Sequence, residues 1–577
     1  MYSLLMNGFP LSFPFLFNRA PMTAYTMGKT NLFTLLSLAT AVNAALDCTN
    51  EAFAPLLPSN ARIVQTARLA ENSTFQVPSS NIAYPRSPVG LPALCAVQVN
   101  VISSNSSAYE FGLFLPDKWN NRFIAVGNGG FAGGINWLDV GQVVRYGFAS
   151  MSTDTGHNST SGDGTWALNA EEKKNDWGYR SLHGSVVIAK QLTEAFYDCA
   201  PSYNYYSGCS TGGRQGLRDL QLYPEDFDGV LAGAPAWWTY RLQTWTVKAG
   251  TYNLPADGPN RIPPSFFPIL EREILRQCDA QDGLRDTIIS DPRRCNLFFD
   301  TLLCGPNNTN TTTCLTAPQL QTLTNIYTDY IETNQTFIFP RVEPGSEATF
   351  QVLFGGTSPN PLGLQYVQYF LLNDPTWTYD QFSLATVQLA ESVDPGNATA
   401  DDFDLRPFKS RGGKLLMYHG HADSFISSGS SRVFYENVHR ALYPSEGGLD
   451  DFFRLFYVPG MLHCGGTSPL ASAPWYFAGA GQAASLLEDG VYSVPGFEDA
   501  RHDALLALME WTEEGRAPEE LVATRWREDT VALGVERQRP VCVFPKQARF
   551  RGGDADEAGS WECAELSKGW RVQGGSH

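Results

Sequence analysis

Short apolar runs that each end in a glycine-bearing turn recur along the chain. Arg122–Val126 (RFIAV), Tyr203–Tyr206 and Lys414–Tyr418 (KLLMY) read as buried strands, and Phe453–Val458 as another. Stretches of helical period, such as His183–Phe196 and Gly212–Leu222, follow runs of this kind. Strands alternating with helices predict an α/β protein whose mainly parallel sheet is covered on both faces. Between Ala236 and about Asp404 the rhythm is lost to Pro, Asn, Thr and aromatic residues. That stretch predicts an insertion over the sheet's C-terminal edge, where α/β enzymes bind ligands. The resulting plan is an N-terminal extension over 1–44, a first core part over 45–235, a lid over 236–404 and a second core part over 405–577. The chain shows neither an internal repeat nor a low-complexity tract.

Composition narrows the class. The 577 residues carry a formal charge of −18. Nucleic-acid affinity comes largely from Lys and Arg displacing counterions, and no separated basic stripe offsets the deficit, so a nucleic-acid partner is excluded. Met27–Ala44 (MGKTNLFTLLSLATAVNA) has one Lys, an apolar run and small residues at −3 and −1, the pattern of a secretory signal cleaved after Ala44. Residues 1–26 read as lying upstream of the true start, with an uncleaved anchor as the alternative. No later stretch holds about 20 uninterrupted apolar residues, so no membrane span is expected. Export turns the eleven cysteines into disulfide candidates. Local spacing suggests Cys48/Cys95, Cys278/Cys295, Cys304/Cys314 and Cys542/Cys563, leaving Cys199, Cys209 and Cys464. Sequons at Asn72, Asn105, Asn158, Asn307, Asn310, Asn334 and Asn397 suit a secreted glycoprotein.

The strongest chemical signal is Gly208-Cys209-Ser210-Thr211-Gly212, a G-x-S-x-G between a predicted strand and a predicted helix. A serine in so sharp a turn needs tiny neighbours, and the helix N-terminus beyond it favours developing negative charge. Its partners belong later in the chain, in the order Ser, acid, His. Asp423 follows the strand Lys414–Tyr418 in the loop His419-Gly420-His421-Ala422-Asp423, and His463 follows the strand Phe453–Val458. Among the eight histidines, His157 is the competitor for the base, but it precedes the serine. If Ser210 and His463 share a hydrogen bond, Cys209 and Cys464 can come within disulfide range. Cys199–Cys209 with Cys464 free is the alternative pairing.

Cys209-Ser210, Asp423 and His463-Cys464, with YYSGCSTGGRQG (Tyr205–Gly216) and GGKLLMYHGHAD (Gly412–Asp423), resemble the tannase and feruloyl esterase family of secreted fungal esterases. The resemblance runs from about Asp47 to Cys563. It implies an α/β-hydrolase core with a large inserted lid, a disulfide between the cysteines beside Ser210 and His463, and cleavage of phenolic-acid esters. It also identifies Gly127–Gly134 as the family's Gly-rich loop, so the oxyanion donors are expected to be the amides of Thr211 and of Gly129 or Gly130. The rival reading of that loop, a dinucleotide fingerprint, fails because Asp139 follows too early to serve a ribose.

Asp279, Asp282 and Asp286 crowd into the Cys278/Cys295 loop, where carboxylates repel one another unless a hard cation intervenes. The stretch resembles the family's lid calcium site, which implies a structural Ca²⁺ held by those side chains and by the carbonyls of Leu284 and Ile288. No organic cofactor is expected. Trp237, Trp238, Tyr240, Trp245, Tyr366, Tyr369, Phe370 and Trp377 of the lid suit either a phenolic ring or lid core. The segment Cys278–Cys314 resembles feruloyl esterases of the family, so plant hydroxycinnamoyl esters are the expected substrates, with galloyl esters second. From another class, a catalytically silent binding protein would be marked by a missing triad residue, and none is missing.

Overall fold

The computed structural model describes residues 46–305, 310, 312–442, 448–486 and 497–565. The expected signal segment and the sequon at Asn307 lie outside these residues. Among the described residues, eleven strands carry the argument: β1 (Ala61–Leu69), β2 (Leu94–Ile102), β3 (Ala108–Pro116), β4 (Arg122–Val126), β5 (Ala149–Thr153), β6 (Tyr203–Cys209), β7 (Gly229–Gly233), β8 (Tyr330–Ile331), β9 (Phe337–Phe339), β10 (Lys414–Gly420) and β11 (Phe453–Val458). Nine of them form one sheet in the order β1-β2-β3-β5-β4-β6-β7-β10-β11. From β5 to β11 every neighbouring pair is parallel, while β1, β2, β3 and β5 pair antiparallel. The order reverses between β4 and β6: from β4 the chain goes one way to β5, then returns to the other side for β6. Ligands of open α/β sheets bind at such a switch point.

The parallel strands read as unbroken apolar runs because both faces are covered. Phe123, Ala125, Tyr206, Val230, Leu415, Met417 and Leu455 enter one core, whereas Ile124, Val126, Tyr205, Leu231, Leu416, Tyr418 and Phe456 enter the other. Helices Ser181–Tyr197, Thr211–Leu222 and Gly429–Leu442 supply the first core with Leu182, Val186, Leu217, Phe434 and Val438. Helices Trp137–Val143 and Ala504–Glu514 supply the second with Trp137, Val140, Leu505, Leu508 and Trp511.

The stretch 236–404 contributes the β8/β9 hairpin and several helices, including Thr239–Thr251 and Phe267–Cys278. Leu242, Trp245, Phe266, Leu270, Ile274, Phe339 and Phe350 gather there in an apolar cluster of their own. Glu347 is buried beside it, accepting from the Tyr327 hydroxyl and from the Gly345 amide at 3.0 Å. Burial raises its pKa to about 7. Unfolding returns the group to an ordinary value near 4.3, so in between the folded state holds a proton that the unfolded state does not. Stability therefore falls as pH rises from about 4.3 through about 7. The melting temperature is expected to drop by about a few degrees between pH 4.5 and pH 8, and Glu347→Gln to flatten that slope. A slope unchanged in the variant would refute the assignment.

Candidate active site

The turn at Ser210 is built by close packing. Ser210 joins β6 to the helix Thr211–Leu222 with φ 64° and ψ −124°, a strained conformation for a side-chain-bearing residue. A Cβ on Gly208 would lie 2.6 Å from the Gly212 backbone, and one on Gly127 would lie 2.6 Å from Gly212 Cα. Both positions therefore require glycine: Gly208 within the motif, and Gly127 in the loop after β4 that packs on Gly212. The Ser210 amide donates to the Gly233 carbonyl at 2.9 Å, and the Ser210 carbonyl accepts from Arg214 and Ala236, each at 3.0 Å. Backbone bonds thus pin the turn on both sides.

Asp423 and His463 stand on the loops after the neighbouring strands β10 and β11. Asp423 is fully buried, and its Oδ2 accepts from His463 Nδ1 at 2.6 Å. Its Oδ1 accepts from the amides of Phe425 at 2.8 Å and Ile426 at 3.0 Å. Burial pushes this carboxyl up, but the His463 charge and the hydrogen bonds from His419 and His463 hold it well below the usual carboxylate range. His463 makes no hydrogen bond through Nε2 among the described residues, so that nitrogen remains available. Phe425 stacks near the same ring, at 5.4 Å between centroids.

Three other histidines have contacts of their own. His157 contacts the Phe131 carbonyl at 2.9 Å, stacks on Trp166 and is driven by burial to a pKa of about 4. His421 stacks on Tyr457 and is driven by burial to about 3. His419 contacts Asp423 Oδ2 at 3.1 Å, the Ile426 carbonyl at 2.9 Å and Ser431 Oγ at 2.7 Å, which fixes the acid in place.

A disulfide joins Cys209 to Cys464 with 5.9 Å between Cα atoms, across 255 residues of chain. Cys48–Cys95, Cys278–Cys295, Cys304–Cys314 and Cys542–Cys563 are also bonded, and Cys199 is free and exposed. The alternative pairing Cys199–Cys209 is therefore not the one the structure adopts. Ser210 and His463 both line one cleft of about 540 Å³, together with Gly129 and Gly130. Thr211 lines a smaller adjoining pocket that also touches Ser210, Gly130 and His463. The amide of Gly129 donates to the Tyr84 hydroxyl at 2.9 Å, while that of Gly130 has no partner among the described residues. Of the two loop glycines, Gly130 is thus the one with a donor to spare.

Several cleft residues escaped the sequence reading. Tyr84, Asn136, Asp139, Asn360, Leu362 and Phe425 line the cleft, yet no motif marks them. The lid aromatics went the other way: Trp237, Tyr240, Trp245, Tyr366, Phe370 and Trp377 are buried and absent from the cleft wall.

In the acidic loop the amides of Asp286, Leu284 and Ile288 donate to Asp279 Oδ1 (3.2 Å), Asp282 Oδ1 (3.0 Å) and Asp286 Oδ1 (3.2 Å). Arg539 donates to Asp286 Oδ2. Burial raises the Asp279 carboxyl, and the charges of Asp286 and Asp282 add to the effect. Hard oxygen donors around mutually repelling acids fit calcium chemically. The three carboxylates do not converge, however. Among the described residues, only His183, Asp219 and Asp226 bring three His, Cys, Asp or Glu ligand atoms within 4.8 Å of one another.

The family model described as "Tannase and feruloyl esterase" matches residues 95–348 and 368–564. A probable feruloyl esterase B-2 of Aspergillus terreus is 35% identical over 82% of this chain and 86% of its own. A probable feruloyl esterase B-2 of Neosartorya fischeri is 32% identical over 93% of this chain and its own full length. The crystal structure of feruloyl esterase B from Aspergillus oryzae superposes with a TM-score of 0.81 at 32% identity, covering 89% of this chain and 99% of that one. A tannin acyl hydrolase from Aspergillus niger shares the fold at a TM-score of 0.69 and 21% identity, over 90% and 96% of the two chains.

Proposed function

This chain belongs to the tannase and feruloyl esterase family of carboxylic ester hydrolases, and on that premise we propose that it cleaves phenolic-acid esters, hydroxycinnamoyl esters foremost, by acyl transfer through Ser210. The observation that carries the reading is the placement of Ser210 and His463 on one cleft wall, their chain neighbours bonded through sulfur, with buried Asp423 behind the imidazole. His463 Nε2 takes the Ser210 proton as the oxygen attacks the ester carbonyl. Asp423 holds the ring through Nδ1 and stabilises its charged form. The amides of Thr211 and Gly130 receive the oxyanion, and the alcohol departs with the proton from His463. Water activated by the same imidazole then releases the acid. Turnover of methyl ferulate, methyl caffeate and methyl gallate by the purified protein tests the substrate choice. Preference for gallate would transfer the assignment to galloyl esters.

Three further features belong to this reading. Asp279, Asp282 and Asp286, with the carbonyls of Leu284 and Ile288, would hold a calcium ion if the carboxylates draw together from the spacing seen here and Asp286 gives up Arg539; the ion would order the loop and take no part in ester chemistry. Chelation is expected to lower the melting temperature by about a few degrees, an effect absent in Asp282→Asn, and no change in the parent protein would count against the site. Secretion is supported by the signal pattern and the disulfides. The six sequon asparagines among the described residues are all exposed, as glycosylation requires.

A further inference from the structure

The cleft that holds Ser210 has an unusual charge inventory. Among the described residues lining it there is neither Lys nor Arg, and Asp139 is the only carboxylate. Asp139 stands on the first turn of the helix Trp137–Val143 and is locked in orientation. Its Oδ2 accepts from Asn136 Nδ2 at 2.8 Å, and its own amide donates to Asn136 Oδ1 at 3.3 Å. The same Asn136 nitrogen also donates to the Gly127 carbonyl at 3.2 Å, which ties the acid to the loop bearing Gly129 and Gly130. Asp139 Oδ1 takes no hydrogen bond from any described residue. A second, smaller pocket of about 50 Å³ meets the cleft at this carboxylate.

A fixed acceptor with one idle oxygen, in a cleft without a cation, sets what can bind beside it. Anionic groups are repelled, and an apolar group would leave the oxygen unpaired. A neutral hydrogen-bond donor completes the site. A phenolic hydroxyl donates better than an aliphatic one because it is the more acidic. Burial raises the Asp139 pKa to about 6, so the group is charged and accepting at neutral pH.

We infer that Asp139 is a specificity residue that accepts a hydrogen bond from the ring hydroxyl of a phenolic ester bound at Ser210. This rests on the ester-hydrolase reading above and adds to it the feature of the substrate that the site selects. It separates free phenols from esters whose ring oxygens are all alkylated.

Methyl ferulate and methyl 3,4-dimethoxycinnamate differ at that hydroxyl alone, and their kcat/KM ratio is the readout. Asp139→Asn is expected to lower the ratio of ferulate over dimethoxycinnamate about tenfold, through KM rather than kcat. An unchanged ratio overturns the inference, whether or not both rates fall together, because a structural role or a water in the small pocket would affect both esters alike. Calorimetric binding of methyl ferulate to Ser210→Ala, with and without Asp139→Asn, keeps the test independent of turnover. Weaker binding of at least about fivefold in the double variant supports the contact, and equal binding overturns it. Failure of the ester-hydrolase reading would appear separately, as absence of turnover by the parent protein.

Discussion

Replacing Ser210 with alanine is expected to lower kcat by about 10⁵-fold with little change in the melting temperature. In the proposed mechanism the side chain supplies the attacking oxygen, and what would remain is the modest acceleration from oxyanion donors and substrate placement. The backbone bonds that fix the turn, from Ser210 to Gly233, Arg214 and Ala236, are all main-chain and survive the substitution. Alanine must still adopt φ 64°, so the strain remains. Initial rates on methyl ferulate, with the thermal melt as control, decide the matter. A variant that kept more than about one hundredth of parental activity would remove Ser210 from the chemistry.

The second large effect concerns Cys209–Cys464. Opening this bond by substituting both cysteines with alanine is expected to destabilise the protein by roughly 5 kcal/mol, because the bond closes 255 residues of the unfolded chain. Activity is expected to fall further than stability explains. The Ser210 turn follows β6 and the His463 loop follows β11, with β7 and β10 between them in the sheet. Without sulfur, the register of Ser210 against His463 depends on two loops moving independently, and small misplacements are costly in catalysis. Measured below its melting transition, the double variant should lose kcat at least about tenfold while KM changes little. Full kcat in a folded double variant would reduce the bond to a stabiliser.

The site was legible to different depths. The turn at Ser210 announces itself because it has no room for a side chain at 208, a steric demand between near neighbours that writes itself into local sequence. Asp423 and His463 are readable from chain order and from strands that end just before them. The elements tell the same story. The strand read as Tyr203–Tyr206 runs on to Cys209, and that read as Lys414–Tyr418 runs on to Gly420. In both, Gly and polar residues at the C-terminal end conceal strand that the ladder nevertheless holds. The antiparallel strands β1 to β3 went unread, since β1 alternates irregularly at the sheet edge.

The chain's own order of residues therefore determined the alternation of buried strands and helices, the sharp turn at Ser210 and the short disulfide loops. These depend on steric and apolar demands between near neighbours, which leave a local imprint. Only the tertiary structure decided which loop amide is free and which residues wall the cleft. Tyr84, Asp139, Asn360 and Phe425 come from four separate segments, and no local rule couples them. Strand order brings Asp139 and Phe425 to one opening, at the C-terminal ends of β4 and β10, while Tyr84 reaches it from the β1–β2 connection and Asn360 from the 236–404 stretch.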